Sequence, residues 1–288
     1  MEDILRKTWK EVGLGLLNLV AVVAVIAVFQ PVVRKYMFTA GAGALAVLCL
    51  AAYVLGCRLI ERRIPTELDA RRALPEAAAG LALGFVLFAV VMGILLIAGV
   101  YHPAGPGATT GLLTGLFFAV LAGIMEEILF RGLLFRLSSK IVGTWGALIF
   151  TSALFGLAHM FNPGASFRSS LAIALEAGIL LGAAYAATQR LWLPIGLHAG
   201  WNFTEGSIFG MTLSGNTMSM GLLRGSLSGP PALTGGAFGP EASIVAVLVC
   251  LAAALYFLSR IVRLQRYEPP IWSTPSQHHS SPKSVDLV

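Results

Sequence analysis

The chain has 288 residues, is 57% hydrophobic and 12% charged, and carries a formal net charge of +6. Its mean hydropathy is +0.80; a soluble domain is nearer half apolar and a quarter charged, so a water-soluble globule is excluded. The apolar runs are continuous rather than alternating, which excludes a closed β-barrel and leaves an all-α, polytopic bundle of membrane helices.

About eight spans follow one another, each near the ~20 residues that a bilayer requires. They run roughly Val12–Phe29, Met37–Ile60, Ala77–Val100, Gly111–Leu137, Gly143–Met160, Ser170–Thr188, Trp192–Gly210 and Ile244–Arg260. The first is longer than a signal-peptide core and has no small-residue cleavage site after it, so it reads as a retained helix. Residues 1–105 form an N-terminal unit of three helices with a basic loop, and 106–210 form a catalytic core of four. Residues 211–243 are a Gly/Ser/Pro-rich loop, read as a lid, a re-entrant segment or a plain mobile connection. A last helix covers 244–266, and a tail over 267–288 is too polar and Pro/Ser-rich to pack. His278 and His279 in that tail read as incidental. Cys49, Cys57 and Cys250 all lie in apolar runs and read as small buried hydrophobes rather than as a disulfide framework.

The basic residues flank spans, so the high pI reflects topology and implies no nucleic-acid partner. With both termini on one face, that face holds 16 of the Lys and Arg side chains and the other holds 4 (Arg34, Lys35, Arg168 and Arg224). Positive-inside then puts both termini in the cytoplasm, with the lipid bilayer as the first partner.

Ionisable groups inside spans mark chemistry or tight pairing, because a charge at the bilayer centre costs at least ~2.5–3.5 kcal/mol. Glu126 and Glu127 stand in Gly123-Ile124-Met125-Glu126-Glu127-Ile128-Leu129-Phe130-Arg131. Glu127 and Arg131 are four apart, the favourable order for an ion pair. Glu126 points about 100° away, which follows from ~3.6 residues per turn, and so faces a different cavity. Phe155 and His159 share a helix face, as do His198 and Asn202. Depths counted along the helices at ~1.5 Å per residue allow the four polar groups to converge, and the active site is expected to open toward the cytoplasm. Each pair alone also has a structural reading: Phe155 as core, His159 as a helix end, His198 with Asn202 as an interhelical hydrogen bond. Glu176 is a further carboxylate within a span, either a partner for a site histidine or part of a water-filled entrance. Gly178 and Gly182 beside it have the spacing of close helix packing.

Chemically, a carboxylate and an imidazole supply general-base catalysis on water, and an Asn amide with an imidazole supplies oxyanion donors. Glu126, His159 and His198 are equally a His₂Glu set, the ligand inventory of a catalytic zinc site. No carboxylate supporting either histidine is identifiable from sequence, which favours the metal-free reading and leaves zinc as the alternative.

Glu-Glu-x-x-x-Arg, Phe-x-x-x-His and His-x-x-x-Asn, in that order over Gly111–Gly210 and with the lead-in Leu191-Trp192-Leu193-Pro194-Ile195, resemble the CAAX proteases and bacteriocin-processing enzymes. That family includes type II CAAX prenyl endopeptidases and bacterial Abi proteins. The resemblance implies that Glu126 and His159 activate water, that His198 and Asn202 hold the oxyanion, and that Glu127 with Arg131 positions the site. It implies an intramembrane endopeptidase acting on a peptide, a CAAX-like C-terminus or another membrane protein. Few cysteines and compact loops point to a prokaryotic inner membrane. Two other classes fit the same residues: a proton-coupled transporter, although no inverted repeat is evident, and a non-catalytic scaffold or immunity factor.

Overall fold

A computed structural model describes residues 2–36, 38–217 and 221–273. The histidines 278 and 279 and the tail beyond 273 lie outside these residues. The chain is an all-α bundle with one small sheet. Its helices are α1 (Glu2–Tyr36), α2 (Phe38–Leu59), α3 (Ala70–Ile97), α4 (Leu112–Glu127), α5 (Arg136–Ala158), α6 (Phe167–Ile173), α7 (Ile179–Thr188), α8 (Trp192–Phe203), the single turn α9 (Pro231–Thr234) and α10 (Ile244–Arg263). Among the described residues, six helical stretches are long and apolar enough to cross a membrane. Outward-facing Val20, Ile149 and Leu255 are each more than 60% exposed. Such a surface suits hydrocarbon and not water.

One of the six stretches runs 50 residues, Leu112–Phe161. It breaks at Gly143, whose φ of 72° and ψ of 173° leave the helical region. A side chain there would strike the Glu268 carbonyl at 2.7 Å. The break is closed by the chain after α10. The Thr144 amide donates to the Glu268 carbonyl at 3.0 Å, the Glu268 amide to Thr144 Oγ1 at 2.8 Å, and the Ile271 amide to the Ile141 carbonyl at 3.0 Å. Residues 267–273, read from composition as the start of an unpacked tail, are thus bonded to the helical body.

Helices α3 and α8 approach to backbone contact. A Cβ on Gly80 or Gly84 would lie 2.3 or 2.2 Å from the carbonyls of Leu193 and Leu197. On the facing helix, a Cβ on Gly196 or Gly200 would lie 2.2 Å from the carbonyls of Ala77 and Leu81. Small residues drive such approach in membranes, where apolar surface alone gives helices no reason to associate.

The two ends of the bundle differ. At the end that holds the chain's N-terminus, ion pairs join the elements: Lys140 with Glu11, Arg136 and Arg63 with Glu61, Arg63 with Glu67, and Arg190 with Glu76. At the other end, β1 (Tyr101–Pro106) pairs antiparallel with β2 (Leu223–Leu227), with an irregularity between Pro103 and Gly105. From sequence, 102–107 reads as a Gly/Pro turn, and 211–243 as a lid, a re-entrant segment or a plain loop. Here they form a ladder reinforced by His102 Nε2 and Ser228 Oγ at 2.6 Å and by the Gly215 amide on the Phe238 carbonyl at 2.7 Å.

Candidate active site

Three π-helical segments bracket the site: Ile128–Phe135 after α4, Ala174–Gly178 before α7, and Thr204–Ile208 after α8. A π turn widens the helix and shifts side-chain directions, and it recurs where function needs that shift. The first carries Arg131, the second Glu176, the third Glu205.

Arg131 is 1% exposed and Glu127 is fully buried. Arg131 Nη1 donates to Glu127 Oε1 at 2.9 Å. Its Nη2 donates to the Ala177 and Gly178 carbonyls at 3.2 and 3.1 Å, and its guanidinium lies 4.8 Å over the Phe155 ring. A buried cation thereby meets a carboxylate, two carbonyls and an aromatic face.

The same Glu127 Oε1 accepts a hydrogen bond from His198 Nδ1 at 2.9 Å. This corrects the sequence reading, which found no carboxylate behind either histidine. Helix periodicity gave Glu127 its partner four residues away and could not reveal one 71 positions away on α8. His159 Nδ1 donates to the Phe155 carbonyl at 2.8 Å; a carbonyl only accepts, so this nitrogen carries the proton. Both imidazoles thus commit Nδ1 and leave Nε2 to the cavity. Phe155, buried between them, has its ring centroid 4.7 Å from that of His159 and 6.1 Å from that of His198.

Glu126 turns away from this pair into an open chamber, its side chain 30% exposed. Its Oε2 lies 3.9 Å from His159 Nε2 and 3.9 Å from His198 Nε2. No hydrogen-bond partner meets that oxygen within the protein. Asn202 lies on the same chamber wall as Glu126 and His159. The structure therefore gathers Glu126, His159, His198 and Asn202 around one space, with Glu127, Arg131 and Phe155 behind them.

The donor types suit zinc, and Glu127 on His198 is the kind of support that zinc-bound histidines use. The spacing is wider than a bound ion sets. Ligand atoms ~2.0–2.1 Å from a tetrahedral ion stand about 3.4 Å apart, against 3.9 Å for both Glu126–His separations. Among the described residues, no group of three His, Cys, Asp or Glu side chains is arranged to hold a metal ion.

Glu176 contacts neither histidine directly. It is 2% exposed, its Oε2 accepts from the Cys250 thiol at 3.3 Å, and it lines a narrow cavity with His159, His198, Asn202 and Glu241. Sequence reasoning missed Glu205 and Glu241, 0% and 3% exposed. Both oxygens of Glu205 and Oε1 of Glu241 have no partner within the protein. Glu205 had a signal, a carboxylate three residues past Asn202 in an apolar span. Glu241, in a Gly/Pro-rich connection, had none. Burial pushes the Glu241 carboxyl above the usual carboxylate range, against the pull of His159 and of Ser214.

No curated protein and no solved structure matches the chain. Residues 108–204 match the family model described as type II CAAX prenyl endopeptidase Rce1-like. The matched stretch holds Glu126, Glu127, Arg131, Phe155, His159, Glu176, His198 and Asn202, and ends before Glu205 and Glu241. Through this segment, about a third of its length, the chain is similar to the Rce1-like type II CAAX prenyl endopeptidases, and its six long apolar helical stretches make it an integral membrane protein.

Proposed function

We propose that the chain hydrolyses a peptide bond with a water activated by Glu126 and His159, without a metal. The observation that carries this reading is the 3.9 Å gap between Glu126 Oε2 and both Nε2 atoms. A water at ~2.8 Å can bridge such groups, whereas a tetrahedral zinc needs them closer. Glu126 takes a proton from the water, and His159 Nε2 orients it. The water oxygen attacks the carbonyl carbon, and negative charge moves to the carbonyl oxygen. The Asn202 amide and a protonated His198 Nε2 donate to that oxyanion. Glu127, whose Oε1 meets both His198 and Arg131, fixes the ring and offsets its charge, as a buried carboxylate does for a catalytic histidine. Collapse of the intermediate expels the amine, which takes the proton held by Glu126.

The substrate is a peptide or membrane protein cleaved where it meets the bilayer. The core at 106–210 acts as the catalytic unit, the three N-terminal helices as its support, and 211–243 as the cap over one face. Glu176 contributes to the cavity wall and not to the chemistry. Purified enzyme tested on a peptide library, with and without a strong chelator, checks the central claim. Cleavage should survive metal removal and should vanish in Glu126→Gln. Stoichiometric zinc, lost together with activity in His159→Ala, would overturn it.

A further inference from the structure

A second cavity, at the basic end, shares no residue with the catalytic chamber. Its volume is about 240 Å³, where one ordered water needs only roughly 10–15 Å³ of such space. It opens between the first turns of α5, the C-terminal end of α7 and the chain that follows α10. Arg136 and Lys140 line it from α5, Gln189 from the end of α7, and Gln265, Arg266 and Glu268 from the last segment. Gln189 and Gln265 are left-handed, with φ of 58° and 52°, and turn both chains at the cavity wall. The clasp of Glu268 on Thr144 holds that wall in place.

Three cations and one carboxylate line this space. Lys140 pairs with Glu11, a partly exposed contact of the kind that is worth little. Arg136 donates Nε to the Gly132 carbonyl at 2.8 Å and Nη2 to Glu61 at 2.9 Å. Arg266 donates to the Ala187 carbonyl, and no carboxylate pairs with it among the described residues. The one carboxylate of the lining, Glu268, already accepts from Ser139 Oγ at 3.2 Å. An excess of guanidinium and ammonium groups around a cavity of this size suits a phosphate group.

The cavity sits where the apolar runs stop: α5 begins here, and α7 and α10 end here. Tyr267 on its wall, Trp145 next to Thr144, and Trp272 next to the Ile271 that bonds Ile141 are all exposed. Trp and Tyr collect at the headgroup level of a bilayer. Trp145 and Ile149, one turn apart on α5, continue from the cavity as an exposed apolar track along the span. A zwitterionic headgroup would bring its ammonium against the three cations, so an anionic one fits better.

We infer that this cavity binds the phosphate of an anionic phospholipid, with Arg136, Lys140 and Arg266 around the headgroup and an acyl chain along Trp145 and Ile149. Basic pockets between membrane helices take lipid headgroups in this way. The lipid then ties the end of α10 to the start of α5, the helix that leads to His159. None of these residues takes part in the proposed hydrolysis.

Purified protein, delipidated in dodecyl maltoside, is melted with dioleoylphosphatidylglycerol, dioleoylphosphatidylcholine or sodium phosphate. Saturating phosphatidylglycerol should raise Tm by about 5–10 °C, the shift expected for a ligand at ~100-fold over its Kd. Native mass spectra should show one such lipid retained per chain. Phosphatidylcholine and sodium phosphate should shift Tm much less. Lys140→Gln combined with Arg266→Gln should abolish the difference between the two lipids. Arg72→Gln, which removes a charge from the exposed basic loop, should leave that difference intact. If the double variant does not accumulate, Lys140→Gln alone, which gives up only the partly exposed pair, should reduce the phosphatidylglycerol shift. Equal shifts from the two lipids, an equal shift from sodium phosphate, an undiminished phosphatidylglycerol shift in the charge variants, or an equal loss in Arg72→Gln would overturn the inference.

Discussion

The two ends of the bundle handle charge in opposite ways. At the basic end each buried carboxylate meets a cation. Glu61 takes Asn18, Arg63 and Arg136, and Glu67 takes Arg63 and Tyr53. At the chamber end the carboxylates stand apart from cations. Glu126, Glu205 and Glu241 each keep an oxygen with no partner, and Glu176 has only a thiol. An unpaired buried carboxylate costs stability that a folded chain keeps only where it serves another purpose. The first end holds the helices together, and the second is where the proposed chemistry takes place.

The sharpest break of this contrast is Glu126→Gln. It keeps the shape, removes basicity, and should cost about 10²–10⁴-fold in turnover, the usual worth of a general base. Melting should be unchanged, because this oxygen bonds nothing in the protein. Near-normal turnover by the purified variant would remove Glu126 from the chemistry. Arg131→Ala attacks the one point where the chamber is pinned like the basic end. Stranding Glu127 beneath His198 should cost ~3–5 kcal/mol, seen as poor accumulation or early unfolding. A variant that melts normally yet is inactive would make Arg131 a catalytic residue. Asn202→Ala should lower turnover by ~10²–10³ with little change in KM, the signature of a lost oxyanion donor; a loss of stability instead would mark it as a structural partner.

The polar sets within single helices were legible because helix periodicity is local. Glu127 with Arg131, Phe155 with His159 and His198 with Asn202 follow from spacing and from the apolar run around them. The Glu127–His198 bond, the pairing of 101–106 with 223–227 and the clasp of Glu268 on Thr144 were not legible. Each joins positions far apart in sequence, through Gly, Pro or a backbone amide that leaves no pattern.

The smallest effect is a difference in pH response between the two ends. Burial alone would raise the Glu61 and Glu67 carboxyls, but their bonds to Asn18, Arg63, Arg136 and Tyr53 outweigh it and hold both below the usual range. Their contribution is present above the unfolded-state value and is lost as pH falls through the folded one. Glu241 is raised by burial, so its sign is reversed: its contribution is present below the unfolded value and is lost as pH rises. Melting curves in detergent should therefore show Glu241→Gln gaining on the parent at pH 8 relative to pH 5. Arg63→Ala should lose its disadvantage as the buffer becomes acidic. Parallel pH profiles for the two variants would mean that the two ends do not differ in this way.

The backbone contact of α3 with α8 has a mechanical consequence. Four glycines lock these helices so closely that neither can rotate or slide without collision of carbonyls. His198 and Asn202 therefore sit on a stator. His159 stands one residue beyond a helix that is locked in the same way: a Cβ on Gly156 of α5 would lie 2.2 Å from the Ser170 carbonyl, and the His159 ring is held by the Phe155 carbonyl and ring. On the proposed mechanism, the oxyanion donors and the water-orienting imidazole therefore both stand on helices fixed by backbone contact, and the chain that admits a peptide is the loop that covers them, not the helices that carry them.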